Sequence, residues 1–102
     1  MSESYLVRIE LHDAQWSHYE TLHQQMARAG FSRAIRGDDG KLYQLPDATY
    51  TVQNSPASLQ TVQNAAEAAA RATGRKYGLI SSNFKSASWN GLSVVPTSQR
   101  AA

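Results

Sequence analysis

The stretch from Gly30 to Val52 constrains this fold more than any other part of the chain. It reads GFSRAIRGDDGKLYQLPDATYTV, a short strand from Phe31 to Arg36, a turn at Gly37-Asp38-Asp39-Gly40, a polar-apolar bridge, a Pro46-Asp47 corner and a second strand through Tyr50. Glycine and aspartate are the residues that supply positive φ and local hydrogen bonds at a hairpin tip. Both flanks carry helical periodicity, and each helix has a strand on its outer side. The element order is therefore βαββαβ, an α+β layout with one antiparallel four-stranded sheet and two helices. A chain of 102 residues holds one core of this kind. Residues 1–90 are expected to form a single domain and residues 91–102 a flexible C-terminal tail.

The flanks give the orientation of each element. Tyr5, Val7, Ile9 and Leu11 alternate with Arg8, Glu10 and His12, the period of a half-buried strand. Asp13 is placed to cap the following helix. In that helix Trp16, Tyr19, Leu22, Met26 and Ala27 form an apolar stripe that Gly30 ends. His23 falls inside the stripe. Two readings are open: a core-edge histidine with one nitrogen bonded to backbone or water, or an imidazole facing a cleft or subunit interface and free for proton transfer or phosphate contact. Arg33 would need a buried partner if its strand were regular, so a bend that leaves Arg33 and Arg36 at the surface is expected. Ala48, Tyr50 and Val52 are expected to face the core, with Thr49, Thr51 and Gln53 on the open face. Ser55 and Pro56 open a second helix, whose stripe of Leu59, Val62, Ala66 and Ala69 brings it close to the sheet. The last strand runs from Lys76 to Ser82, with Tyr77 and Leu79 inward. Asn83 to Trp89 extends an edge strand or packs on a second subunit, and Pro96 to Ala102 is expected to be disordered.

Composition narrows the function. The absence of cysteine removes disulfides and thiolate metal sites and agrees with a cytoplasmic location, as does a start without a basic and apolar leader. No apolar run approaches the roughly 18 residues of a membrane span, so no membrane association is expected. Of the three histidines, His12, His18 and His23, the last two share no helical face, so no metal site and no cofactor are expected, with Asp13 left open as a Mg²⁺ ligand together with its symmetry mate in a dimer. GxSxG, GxxxxGK and GxGxxG are all missing, which argues against serine hydrolases and nucleotide-driven enzymes. The net charge of +2 permits a nucleic-acid partner without demanding one. RNA cleavage remains compatible, because the substrate's own 2′-hydroxyl is the nucleophile and the protein need only move protons and stabilise charge. Candidate groups for that work are His12, His23, Arg28, Arg33 and Arg36.

The segment from Met26 to Thr51 combines a methionine near the helix end, Phe31-Ser32 opening a strand, an acidic residue before Gly40, the pair Gln44-Leu45 and an aromatic before Thr51. In this pattern, and in the order of elements over roughly residues 5–89, the chain resembles the GhoS family of endoribonuclease antitoxins. The resemblance implies a ferredoxin-like fold with both helices on one face of the sheet, similar to the small CRISPR adaptation nucleases. It implies sequence-selective cleavage of a single-stranded mRNA encoding a small membrane toxin, within a type V toxin-antitoxin pair, by a cytoplasmic homodimer. A basic position near the centre of the family's first helix corresponds here to His23, and the second helix is richer in alanine. On this reading His23, Arg28 and His12 are catalytic, and Arg8, Arg33, Arg36 and Lys41 bind RNA. Two alternatives stand beside it. One is a non-catalytic nucleic-acid-binding module on the open sheet face of Arg8, His12, Thr49 and Thr51; the other is a dimeric interaction protein using Leu92, Val94 and Val95.

Overall fold

The computed structural model describes residues 2–95; the terminal segment from Pro96 onward lies outside them. The elements are β1 (Glu3–Leu11), α1 (Trp16–Arg28), β2 (Ala34–Arg36), β3 (Leu42–Gln44), β4 (Thr49–Ser55), α2 (Leu59–Arg71) and β5 (Tyr77–Phe84). The period-two reading of β1 holds: Tyr5, Val7, Ile9 and Leu11 are buried, and Arg8, Glu10 and His12 are exposed. Against the buried face pack Leu22 and Met26 of α1 and Val62, Ala66, Ala69 and Ala70 of α2, joined by Phe31 and Tyr50 in one core cluster. Both helices therefore cover the same side of the sheet. The alanines let α2 approach closely, while Leu22 and Met26, fully buried, each contribute about 1.5–3 kcal/mol of transfer free energy.

One sheet of four strands was expected; instead a three-stranded antiparallel sheet, in the order β4-β1-β5, lies beside a separate β2-β3 hairpin. The segment leading into β2 touches β4 through a single isolated bridge, in which Ser32 and Thr51 exchange backbone hydrogen bonds of 2.7 and 2.8 Å. Beyond that bridge side chains replace the ladder. The Thr51 hydroxyl donates to the Ala34 carbonyl at 2.7 Å, and the Arg36 amide donates to Gln53 Oε1 at 3.3 Å. β2 can then peel away and pair with β3, so the polar-apolar bridge of the sequence reading is itself a strand. Three residues are too few to show a period. The other edge of β3 is also occupied: Gln44 donates to the Ser93 carbonyl and Val95 to the Leu42 carbonyl, both at 2.8 Å. The first residues of the expected tail thus lie along β3.

Several local expectations are corrected. Asp13 does not cap α1; its φ of 51° turns the chain in the left-handed region, and the helix begins after Gln15. There His18 Nδ1 accepts the Gln15 amide at 2.9 Å, so this imidazole is used in capping. Ser55 ends β4, and the cap of α2 is Ser58, whose hydroxyl oxygen accepts the Thr61 amide at 3.1 Å. Trp16 and Leu59 sit at the first positions of their helices, 67% and 42% exposed, instead of in the core. Ala27 is likewise exposed. Thr49 and Thr51 are buried, because the hairpin and the Arg8 side chain cover them.

Candidate active site

β1 is longer than the partner on its β4 side. The last bond of that ladder region runs from the Ile9 amide to the Ala48 carbonyl, at 3.0 Å. In an antiparallel strand the next residue pointing its N–H and C=O to the same side is Leu11. No strand reaches it. The Tyr19 hydroxyl, from α1, accepts the Leu11 amide at 3.0 Å and donates to the Leu11 carbonyl at 3.4 Å. Where the sheet stops and this side chain takes over, a cleft of about 310 Å³ opens, lined by Arg8, Ile9, Glu10, Trp16, Tyr19, His23, Asp47 and Ala48. The left-handed φ of 63° at Ala48 is the bend that turns the Pro46-Asp47 corner toward it.

His23 stands in the wall of this cleft with its Nδ1 2.6 Å from the Tyr50 hydroxyl. Tyr50 is fully buried, and burial pushes its phenol up to about 12, so the hydroxyl keeps its proton. A hydroxyl both donates and accepts. Tyr50 can therefore serve either tautomer of the imidazole, leaving Nε2 as N–H donor or as lone-pair base. The His23 pKa is held below the ordinary 6.5, first by burial and then by the Arg33 guanidinium, against a smaller opposite effect of Asp47 and Glu20. The ring is thus neutral near pH 7, as a proton acceptor must be.

Two arginines flank it. One guanidinium nitrogen of Arg8 donates to the Asp47 carbonyl at 3.3 Å and to Thr49 Oγ1 at 3.2 Å. Arg33 lies 3.7 Å from an Asp47 carboxylate oxygen, in a pair 41% and 91% exposed at its two side chains. A pair so open to water is worth at most about 1 kcal/mol, and it yields readily to a stronger anion. The bend expected for Arg33 is present, since Phe31 and Ile35 are buried while Arg33 reaches the surface.

Of the candidates, Arg8 and His23 line this cleft and Arg33 meets it through Asp47, while the others lie elsewhere. His12 lines a different cleft with Asp13, Gly74, Arg75 and Lys76, and its Nε2 lies 3.8 Å from Glu10. Arg28 is exposed in the last turn of α1, where a cation complements the free carbonyls. Arg36 and Lys41 flank the β2-β3 turn, the Arg36 guanidinium donating to the Gly40 carbonyl at 2.9 Å. Sequence reading missed the parts of Tyr19, Asp47 and Tyr50. A usable signal was present for Tyr50, since a hydroxyl and an imidazole, each inside an apolar stripe, both need a buried partner. Among the described residues no three His, Asp or Glu side chains are grouped to hold a metal ion.

Fold and cleft together define a class: a small α+β protein with a histidine, bonded to a buried tyrosine, in the wall of a cleft that an arginine also lines. The family model described as GhoS, endoribonuclease GhoS, matches residues 2–85. The chain belongs to this family of endoribonucleases. No match was found among curated proteins. Among the described residues no helix is long and apolar enough to cross a membrane.

Proposed function

We propose that this protein is an antitoxin that cleaves the single-stranded mRNA of a small membrane toxin at selected sequences, and that His23 is its proton-transferring residue. The observation that carries the reading is the 2.6 Å contact between His23 Nδ1 and the Tyr50 hydroxyl, in the wall of a cleft that Arg8 also lines and that Arg33 meets through Asp47. With Nδ1–H donating to the Tyr50 oxygen, the Nε2 lone pair takes the proton of a ribose 2′-hydroxyl. The 2′-oxygen bonds to phosphorus, the bond to the 5′-oxygen breaks, and that oxygen leaves with a proton from water. Arg8 and Arg33 offset the extra negative charge on the phosphoryl oxygens as it develops. The products are a 2′,3′-cyclic phosphate and a 5′-hydroxyl. Arg28, Arg36, Lys41 and His12, away from the cleft lining, extend the contact surface for the strand. The order of β4, β1 and β5 with the segment leading into β2 bridged to β4 is compatible with a ferredoxin-like ancestry, and a cytoplasmic homodimer is the form in which we expect the protein to act.

The reading of the open face as a non-catalytic platform loses support, because Thr49 and Thr51 are buried. The interaction-protein reading loses the Val95 backbone, which is bonded to β3.

The test uses a toxin transcript and the same transcript with a single 2′-deoxynucleotide at the mapped cut, each with and without EDTA. Cleavage of the first in both buffers, with cyclic-phosphate ends, and none of the second is the expected result. Continued cut at the deoxy position would overturn the mechanism.

A further inference from the structure

On the other side of the hairpin lies a second groove, of about 410 Å³, whose walls include Arg36, Gln53, Phe84, Lys85 and Trp89. It combines the two elements that hold single-stranded nucleic acid without reference to one sequence, namely cations along a groove and aromatic faces for bases. Lys85 is exposed, and Phe84 and Trp89 are half-buried. Asp38 is the one acidic residue in the lining.

Trp89 is held in place. Its ring packs on Tyr43 with centroids 5.4 Å apart and planes tilted by 54°. The Tyr43 hydroxyl in turn donates to the Asp39 carboxylate at 2.6 Å, which fixes the phenol. Gly37 leaves room for the indole: a Cβ there would stand 3.3 Å from Trp89 Cζ2 and 3.0 Å from the Tyr43 ring. The turn thus seats one tryptophan, which also lines the groove.

The hairpin stands between the groove and the cleft. Arg33, just before β2, pairs with Asp47 of the cleft lining, and Arg36, the last residue of β2, lines the groove. A strand of RNA crossing the hairpin would meet these two cations in turn.

We propose that this groove is a second RNA-binding site, in which Trp89 stacks on a base and Arg36 and Lys85 contact phosphates, holding the strand whose scissile bond lies at His23. The proposal rests on the reading of the cleft as the cleavage site. Trp89 lies just beyond the residues 2–85 that match the family model.

The probe is a mixed-sequence octaribonucleotide with 2′-O-methyl groups, which cannot be cut by 2′-hydroxyl attack. In a Trp16→Phe background Trp89 is the remaining tryptophan, and saturable quenching of its emission on titration is expected. Trp89→Ala should weaken binding roughly ten-fold, and Trp89→Phe should restore most of the loss. Lys85→Ala, at an exposed position that does not bear on folding, should lower the slope of log K against log salt by about 0.7. Binding without quenching, together with wild-type affinity and salt slope in Trp89→Ala and Lys85→Ala, would overturn the proposal. The two sites fail separately. If the groove is wrong, those variants bind normally while His23→Ala still abolishes cleavage of unmodified RNA. If the cleft is wrong, His23→Ala still cleaves while the groove variants lose affinity.

Discussion

His23 meets two demands at once, because one ring nitrogen bonds a buried tyrosine while the residue lines an open cleft. Removing the Tyr50 hydroxyl separates them. Tyr50→Phe keeps the buried ring and leaves Nδ1 without its partner, so the expected cost is about 1–2 kcal/mol of stability by denaturant unfolding. Cleavage should fall as well, since the imidazole loses the partner that holds Nδ1 and with it the ring's orientation at the cleft. The pH dependence has a definite sign. Because the folded pKa of His23 lies below the ordinary 6.5, the unfolded chain takes up this proton more readily than the folded one. The stability from a neutral His23 is complete above about pH 6.5 and is lost as pH falls through the window below it. Unfolding of wild type between pH 8 and 5.5 should therefore show a steeper loss than unfolding of His23→Gln, which has no titrating ring. The acid limb of the cleavage rate should have its midpoint below 6.5 for the same reason.

At the scale of elements, the cleft exists because β1 outruns β4. Tyr19 is what makes that free edge tolerable, so Tyr19→Phe exposes the Leu11 amide and carbonyl to an unfilled site. The expected penalty is about 1–3 kcal/mol, and hydrogen exchange at the Leu11 amide should accelerate more than at Val7, in mid-ladder. Ser58→Ala removes the cap of α2 and should cost about 1 kcal/mol by thermal unfolding, while Ser55→Ala, at the end of β4, should cost less. Period two in β1 and the apolar stripes at Leu22, Met26, Val62 and Ala66 were legible because burial on one face imposes them on the sequence. The helix starts were not. Asp13, Ser55 and Ser58 are equally good caps by residue type, and only the left-handed turn at Asp13 and the length of β4 decide between them. β3 escaped for a related reason: Leu42-Tyr43-Gln44 owes its pairing to β2 and to residues 93–95, contacts that have no local signature.

For the whole molecule, the hairpin is the piece that links the parts. It detaches from the main sheet after one bridge, covers Thr51, pairs Arg33 with Asp47 of the cleft, brings Arg36 to the groove, and seats Trp89 against its turn. That Arg33 reaches the surface followed from sequence, since a buried guanidinium without a partner is too costly. That Arg8 and His23 line one cleft, which Arg33 meets through Asp47, did not, because this depends on where β4 begins and how the Pro46-Asp47 corner turns. The separation of His12 from His23 was equally beyond reach of residue types. The central claim is that His23 transfers the proton in RNA cleavage, and the most direct measurement compares purified wild type with His23→Ala on one toxin transcript after both are shown to melt as folded proteins. Loss of at least about a hundred-fold in single-turnover rate, with binding of the 2′-O-methyl octamer retained, is the predicted result; a rate within a few-fold of wild type would contradict it.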